Sequence, residues 1–410
     1  MKIGLGLGMH YAINSGAAAP FVAKINFVGG SLIDYTNVNS ATKRFYVRGP
    51  VTQALGLAKG SYFSNWNATG TSYGFAQLGT YEFGTFGANT LQIQANHLAE
   101  INAAPADLVF LYCGLNDLGN GAATAALTFS RIQDFVAALR SNGHNRIAIA
   151  GITPRRSTFN PVGSDGKTIA VRNVETNDLL RPWCITQNIP FCDWYSVLDD
   201  GSGFLRTDLS IDETHPNTLG AQKMGEFLNN FIVSNYRTAQ SPYGSALIAT
   251  LNPESDFTVG WSNSQFGTGG SAVHTTVAAT DGLGSFRRIT TTNPVSTNTS
   301  YSQRLNVPIP AAWGHVNGEL LQPIIELRML TEGTTSLSAE INNGGTHVIS
   351  SFNLDNREVY QPYHSVFFGQ PFAANASTLF TLTLGIRGSI ALDIRRFGFR
   401  KVTSMTPPFL

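Results

Sequence analysis

The chain has 410 residues, a net charge of +1 and only 13% charged residues. Near-neutral charge gives no electrostatic case for nucleic acid or an acidic membrane surface as a partner, and no apolar run approaches the ~20 residues of a membrane span. Hydrophobic content of 42% supports a sizeable core, and 41 glycines with so few charges suit a loop-rich, β-containing extracellular or particle-associated protein.

At the amino terminus, residues 1–20 loosely imitate a signal peptide, with Lys2 and the small residues Ala17 to Ala19. Alternating glycines, His10 and Asn14 interrupt the apolar stretch, so a flexible or particle-attaching arm is expected instead. Next come four short, continuous apolar runs, each followed by a turn: "AKINFVGG", "ADLVFLYCG", "RIAIAGIT" and "IPFCDWY". Such runs read as buried parallel strands. Helical patterns alternate with them. In "LTFSRIQDFVAALRSNG", Phe129, Ile132, Phe135, Val136 and Leu139 share one face, and Gly143 suits the stop. "VRNVETNDLLRPWCITQN" is a weaker helix that Pro182 interrupts. In "NTLGAQKMGEFLNNFIVSNY", Leu219, Met224, Phe227, Phe231 and Ile232 face inward. Strands alternating with helices predict an α/β domain with a parallel sheet over residues 21–240.

Beyond "YRTAQSPYGSA" the chain turns to Ser, Thr, Asn and Gly, with no convincing helix. "TLFTLTLGIRGSIALDIRRFGF" alternates, with Leu382, Leu384 and Ile386 on one face and Thr381, Thr383 and Arg387 on the other. This predicts an antiparallel β-sandwich over residues 245–410. The three cysteines, Cys113, Cys184 and Cys192, give neither a disulfide framework nor a zinc pattern. Cys113 reads as a buried thiol, and the sequence leaves open whether Cys184 and Cys192 pair.

Ligands of parallel α/β sheets bind beyond the carboxyl ends of the strands. There the chain places Ser31 after the first run, Asn116 and Asp117 after the second, and "IDETHPNTLGA" before the last helix. A serine hydroxyl needs a base to become a nucleophile; His215 can serve, with Asp212 orienting it. The amide of Asn116 and the backbone N–H groups of Ser31 and Gly87 can face a tetrahedral oxyanion. The residues alone leave other readings open: Asp212 and Asn217 as turn caps, His215 at the surface, Asn116 and Asp117 as turn formers. A metal site has less support, because the eight histidines show no HxH or HExxH spacing.

The order "GGSL", "FGTFGANT", "GLND" and "DETHPNTLGA" resembles the SGNH (GDSL) hydrolase superfamily, over about residues 23–235. The resemblance implies a flavodoxin-like three-layer α/β/α domain and a serine ester hydrolase without cofactor or metal. It maps the nucleophile to Ser31, the base and its partner to His215 and Asp212, and the oxyanion donors to Ser31, Gly87 and Asn116. Gly84 and Gly70 are the other choices for the glycine. "ITPRR" resembles the family's segment after its fourth strand. The chain departs from the family at Gly30, where an aspartate usually precedes the serine; this leaves room for a degenerate, binding-only protein.

With a jelly-roll-like sandwich behind it, the chain looks similar to phage tail-spike or fibre esterases that trim bacterial surface polysaccharide. The expected substrate is an O-acetylated polysaccharide, with Trp261, Trp313, Tyr360 and Tyr363 as candidate sugar-stacking residues. The expected setting is extracellular or virion-associated, with no nucleic-acid or membrane partner and a homo-oligomer, a trimer if a tail spike. A non-catalytic glycan-binding adhesin, or a lipase or thioesterase of the same family, are the alternatives.

Overall fold

A continuous apolar strand must be covered on both faces, and crossover helices supply that cover. The computed structural model describes residues 19–34, 38–39, 44–46, 49–65, 83–119 and 123–239, and thereafter segments 261–266, 271–279, 284–292, 300–307, 316–330, 336–343, 347–354, 365–368, 372–373, 380–387 and 391–403. The amino-terminal arm up to residue 18, Gly70, Trp313, Tyr360 and Tyr363 lie outside the described residues.

Six strands form one parallel sheet: Lys24–Gly29 (β1), Phe63–Ser64 (β2), Phe83–Gly84 (β3), Leu108–Tyr112 (β4), Ile147–Ala150 (β5) and Phe191–Cys192 (β6). Their order is β2-β1-β4-β5-β6, with β3 pairing the end of β1. The order reverses direction between β1 and β4, which opens a crevice at their carboxyl ends. The four apolar runs of the sequence are β1, β4, β5 and β6. The two-residue strands β2 and β3 are too short to leave a pattern.

The helices are Ser31–Asp34 (α1), Pro50–Ala58 (α2), Thr90–Ala103 (α3), Leu115–Gly119 (α4), Ala125–Ser141 (α5), Ile169–Thr186 (α6), Trp194–Leu198 (α7) and Thr218–Asn235 (α8). Helices α3, α5 and α6 pack in sequence, and α8 packs against both α2 and α7. At the centre, the Phe110 ring of β4 meets Phe27, Trp194 and Phe231 at 5.7, 5.2 and 6.4 Å between centroids. No helix among the described residues is long and apolar enough to cross a membrane.

One local expectation is corrected. Pro182 does not interrupt its helix: α6 runs through it to Thr186. A helical proline loses its bond to the carbonyl four residues back, and its ring crowds that carbonyl. Here Asp178 and Pro182 both sit on the exposed side, near the helix end, where water can satisfy that carbonyl.

The carboxyl-terminal part is β-rich, and every element described in it is a strand. One sheet orders strands 261–266, 300–307, 380–387, 336–343 and 347–354, all antiparallel. Another orders strands 271–278, 285–292, 391–401, 320–329 and 365–368. The first sheet is extended by residues from the amino-terminal half: Arg44–Tyr46 pairs in parallel with Ser351–Asn353, and Val38–Asn39 pairs with it in turn. Helix α2 also packs against strand 365–368.

Candidate active site

The crevice at the ends of β1 and β4 collects the candidate residues. Ser31 opens α1 directly after β1, where the carbonyl of Gly30 accepts from the N–H groups of Ile33 and Asp34, both at 3.0 Å. The two glycines before it do different work. A Cβ on Gly29 would lie 2.3 Å from the carbonyl oxygen of Tyr112 and 2.7 Å from Ile33, so only glycine fits between β1 and β4. A Cβ on Gly30 would meet nothing nearer than Asn116 Nδ2 at 3.6 Å and the Ala88 carbonyl at 3.8 Å. The close approach belongs to Gly29, while Gly30 is a position with room for a side chain.

His215 reaches Ser31 from a loop 184 positions later. Its Nε2 lies 2.9 Å from Ser31 Oγ, and its Nδ1 lies 2.8 Å from Asp212 Oδ2. A carboxylate only accepts, so Nδ1 carries the proton and Nε2 of the neutral ring accepts from the serine hydroxyl. Asp212 Oδ1 also accepts the backbone N–H groups of Thr214 and His215, each at 2.7 Å. Thus Asp212 caps a turn and orients the imidazole at once. Partial burial acts to raise its pKa, but the His215 ring and those backbone donors outweigh it and hold the carboxyl below its usual range. Asp208, the nearby alternative carboxylate, is exposed and pairs with Arg206.

The base loop is itself clamped. Ile211 N–H donates to the His215 carbonyl at 3.0 Å, and Arg156 donates to Ser210 Oγ at 2.7 Å and to its carbonyl at 2.9 Å. Asn217 then caps α8 through the Gly220 N–H, so this residue is a helix cap.

The loop after β3 carries the second wall. Gly87 is exposed and has φ +72°, a left-handed conformation that side chains rarely adopt. Asn116, at the start of α4, donates from Nδ2 to the Ala88 carbonyl at 3.1 Å. Asn116 and Ala88, the residue after Gly87, therefore lie beside Gly30 in the turn that carries Ser31. Gly84 instead lies in β3 against the backbone of Asp34. The loop is braced from below: Thr85 Oγ1 bonds His97 Nε2 and Glu100 Oε2 bonds His97 Nδ1, both at 2.7 Å. Asp117 is wholly buried and accepts from Thr90 and Arg131, which ties α4 to α3 and α5.

Sequence reasoning missed two neighbours. Phe86 is 45% exposed, yet its ring stacks on His215 at 5.6 Å and 19°. The signal was an aromatic between the glycines of "GTFGANT". Arg155, from "ITPRR", is buried against Asn116. All three cysteines are buried free thiols; burial pushes Cys184 up to about 12 and Cys113 higher still, so none is a thiolate nucleophile. Among the described residues no cluster of His, Cys, Asp or Glu could hold a metal ion.

Such a chain of hydrogen bonds can move a proton from a serine hydroxyl to an imidazole whose charge a carboxylate stabilises. A sequence profile of the GDSL-like Lipase/Acylhydrolase family matches residues 51–223, which takes in Gly87, Asn116, Asp212 and His215 and begins after Ser31. No curated protein sequence matches the chain significantly. Among solved structures, a GDSL-like lipase from Bacteroides thetaiotaomicron is similar at 18% identity and TM-score 0.38, covering 53% of this chain and 92% of its own. A member of the lipolytic protein G-D-S-L family from Veillonella parvula is similar at 19% identity and TM-score 0.37, covering 52% and 98%. A carbohydrate esterase family 3 structure from Talaromyces cellulolyticus is similar at 17% identity and TM-score 0.37, covering 52% and 96%. Residues 51–223 are thus similar to the GDSL-like lipase/acylhydrolase family, and this match supports placing the α/β domain in the GDSL/SGNH hydrolase superfamily.

Proposed function

We propose that the chain is a serine ester hydrolase that removes O-acetyl, or another short acyl group, from a polysaccharide through an acyl-enzyme. The observation that carries this reading is the continuous Ser31–His215–Asp212 hydrogen-bond chain at the carboxyl end of the sheet. Ser31 Oγ attacks the ester carbonyl while its proton passes to His215 Nε2. The oxyanion is held by the Asn116 amide and the backbone N–H groups of Ser31 and Gly87. The imidazolium, stabilised by Asp212, then protonates the leaving sugar oxygen as the carbonyl re-forms. Water attacks the acyl-Ser31 carbonyl and gives one proton to His215, and the collapse returns that proton to Ser31 and releases the carboxylic acid, which loses its remaining proton to solvent.

The polysaccharide reading extends to the division of the chain: an arm at 1–20, the hydrolase at 21–240 and a jelly-roll-like, carbohydrate-binding sandwich at 245–410. In this reading the protein acts outside the cell or on a virion, as a homo-oligomer. Half-exposed Phe86 beside His215 offers a flat apolar surface to a sugar ring, in keeping with that substrate. The test is hydrolysis of acetyl esters, small and polymeric, by the wild type and Ser31→Ala. Turnover that depends on Ser31 and falls as the acyl chain lengthens supports the reading. Glycan binding without turnover would replace it with a non-catalytic adhesin, and a preference for long chains would replace it with a lipase.

A further inference from the structure

The two arginines of "ITPRR" serve opposite walls of the site. Arg156 clamps the loop of Asp212 and His215. Arg155 turns toward Asn116: its Nη2 donates to Asn116 Oδ1 at 3.3 Å and to the Leu115 carbonyl at 3.4 Å. Arg155 is 6% exposed, and its guanidinium packs against Gly119 and lies over the Phe159 ring at 4.7 Å. Among the described residues it forms no ion pair with a carboxylate, and its Nε has no hydrogen-bond partner. A buried charge held this way opposes folding, so packing alone gives no reason for it.

The Asn116 amide gives one. It has one acceptor and two N–H donors. Oδ1 takes the Arg155 bond and one Nδ2–H goes to the Ala88 carbonyl at 3.1 Å, which leaves the second Nδ2–H for a ligand. If the amide flipped, its NH2 would face the arginine donors and its oxygen would face the Ala88 carbonyl. Both contacts would be repulsive, and an acceptor would replace a donor at the oxyanion. We propose that Arg155 is the positioning residue of the oxyanion site, locking Asn116 with an N–H toward the substrate oxygen and setting a fixed positive charge behind it. This rests on the hydrolase reading above.

The test is a double-mutant cycle on a short acetyl ester, with active sites counted by a serine-directed phosphonate so that misfolded protein does not enter kcat. Removing an oxyanion donor costs roughly 10²–10³-fold in kcat, the loss expected for Asn116→Ala. Arg155→Met is expected to lower kcat about ten-fold or more with KM little changed, and to cost almost nothing further in the Asn116→Ala background. Arg155→Lys keeps the charge and loses the fork, so it is expected to fall between wild type and Arg155→Met; it carries the same cycle if Arg155→Met does not fold. Equal factors in both backgrounds, or an unchanged kcat per active site, would overturn the assignment while leaving the hydrolase reading intact. Wild-type protein that turns over no ester would overturn both.

Discussion

Between Ser31 and His215 lie 184 positions of sequence and 2.9 Å of space. The residue types and their order after successive strands were legible, because parallel sheets gather those ends. The contact partners were not: Phe86 and Arg155 reach the site through packing that has no sequence periodicity. At this scale the sharpest expectation concerns pH. Asp212 is held below the usual carboxylate range, so it remains ionised through mild acid. Loss of activity on acidification therefore reports protonation of His215, which must be neutral to accept the serine proton. Asp212→Asn removes the acceptor that fixes the His215 tautomer and should lower kcat by up to ~10⁴-fold while the protein stays folded. A kcat–pH profile with circular dichroism on the same samples checks both, and an Asp212→Asn enzyme as active as wild type would contradict them.

At the scale of elements, the glycine pair before Ser31 shows where sequence reading stops. The two glycines are alike in sequence, but only Gly29 is in a position that excludes a side chain. That difference depends on the β4 carbonyl of Tyr112, a residue of another strand. Gly29→Ala should destabilise the fold by roughly 1–3 kcal/mol, as overpacking between strands does. Gly30→Ala should be clearly milder and retain turnover, because its Cβ would meet only contacts at 3.6 and 3.8 Å. Urea unfolding of the two variants gives the comparison, and equal midpoints would refute it. Helix α6 teaches the same lesson, since it continues through Pro182 where that residue and Asp178 are exposed to water. Both sheet classes, by contrast, were readable: continuous apolar runs gave the parallel one and alternation gave the antiparallel ones.

For the whole molecule, the composition changes near residue 240, and the elements described beyond it are all strands. The composition could not show that Arg44–Tyr46 would join the later sheet, because a three-residue strand has no pattern of its own. A chain ending near residue 240 would leave Arg44–Tyr46 paired with Val38–Asn39 alone, without Ser351–Asn353, and α2 uncovered where strand 365–368 now packs. Its melting temperature should fall below that of the full chain, measured by calorimetry; an unchanged value would show that these contacts contribute nothing. The β-rich part should also be acid-sensitive. Buried Asp393 accepts from Arg288 at 2.7 Å and Arg328 at 2.6 Å. Burial acts to raise its pKa, but the two arginines outweigh it and lower it. Its stabilisation is present above the unfolded carboxylate pKa, near 3.9, and is lost as pH falls through the lower folded value. Asp393→Asn should thus melt earlier than wild type at neutral pH, with the gap closing in strong acid.

The central claim is that Ser31, activated by His215, forms the acyl-enzyme. The most direct measurement is mass-spectrometric mapping of the residue labelled by a serine-directed phosphonate, in wild type and His215→Ala. The predicted result is a single adduct on Ser31 of the wild type, formed far more slowly or not at all in His215→Ala. An adduct on another residue, or ester turnover with Ser31 unlabelled, would contradict it.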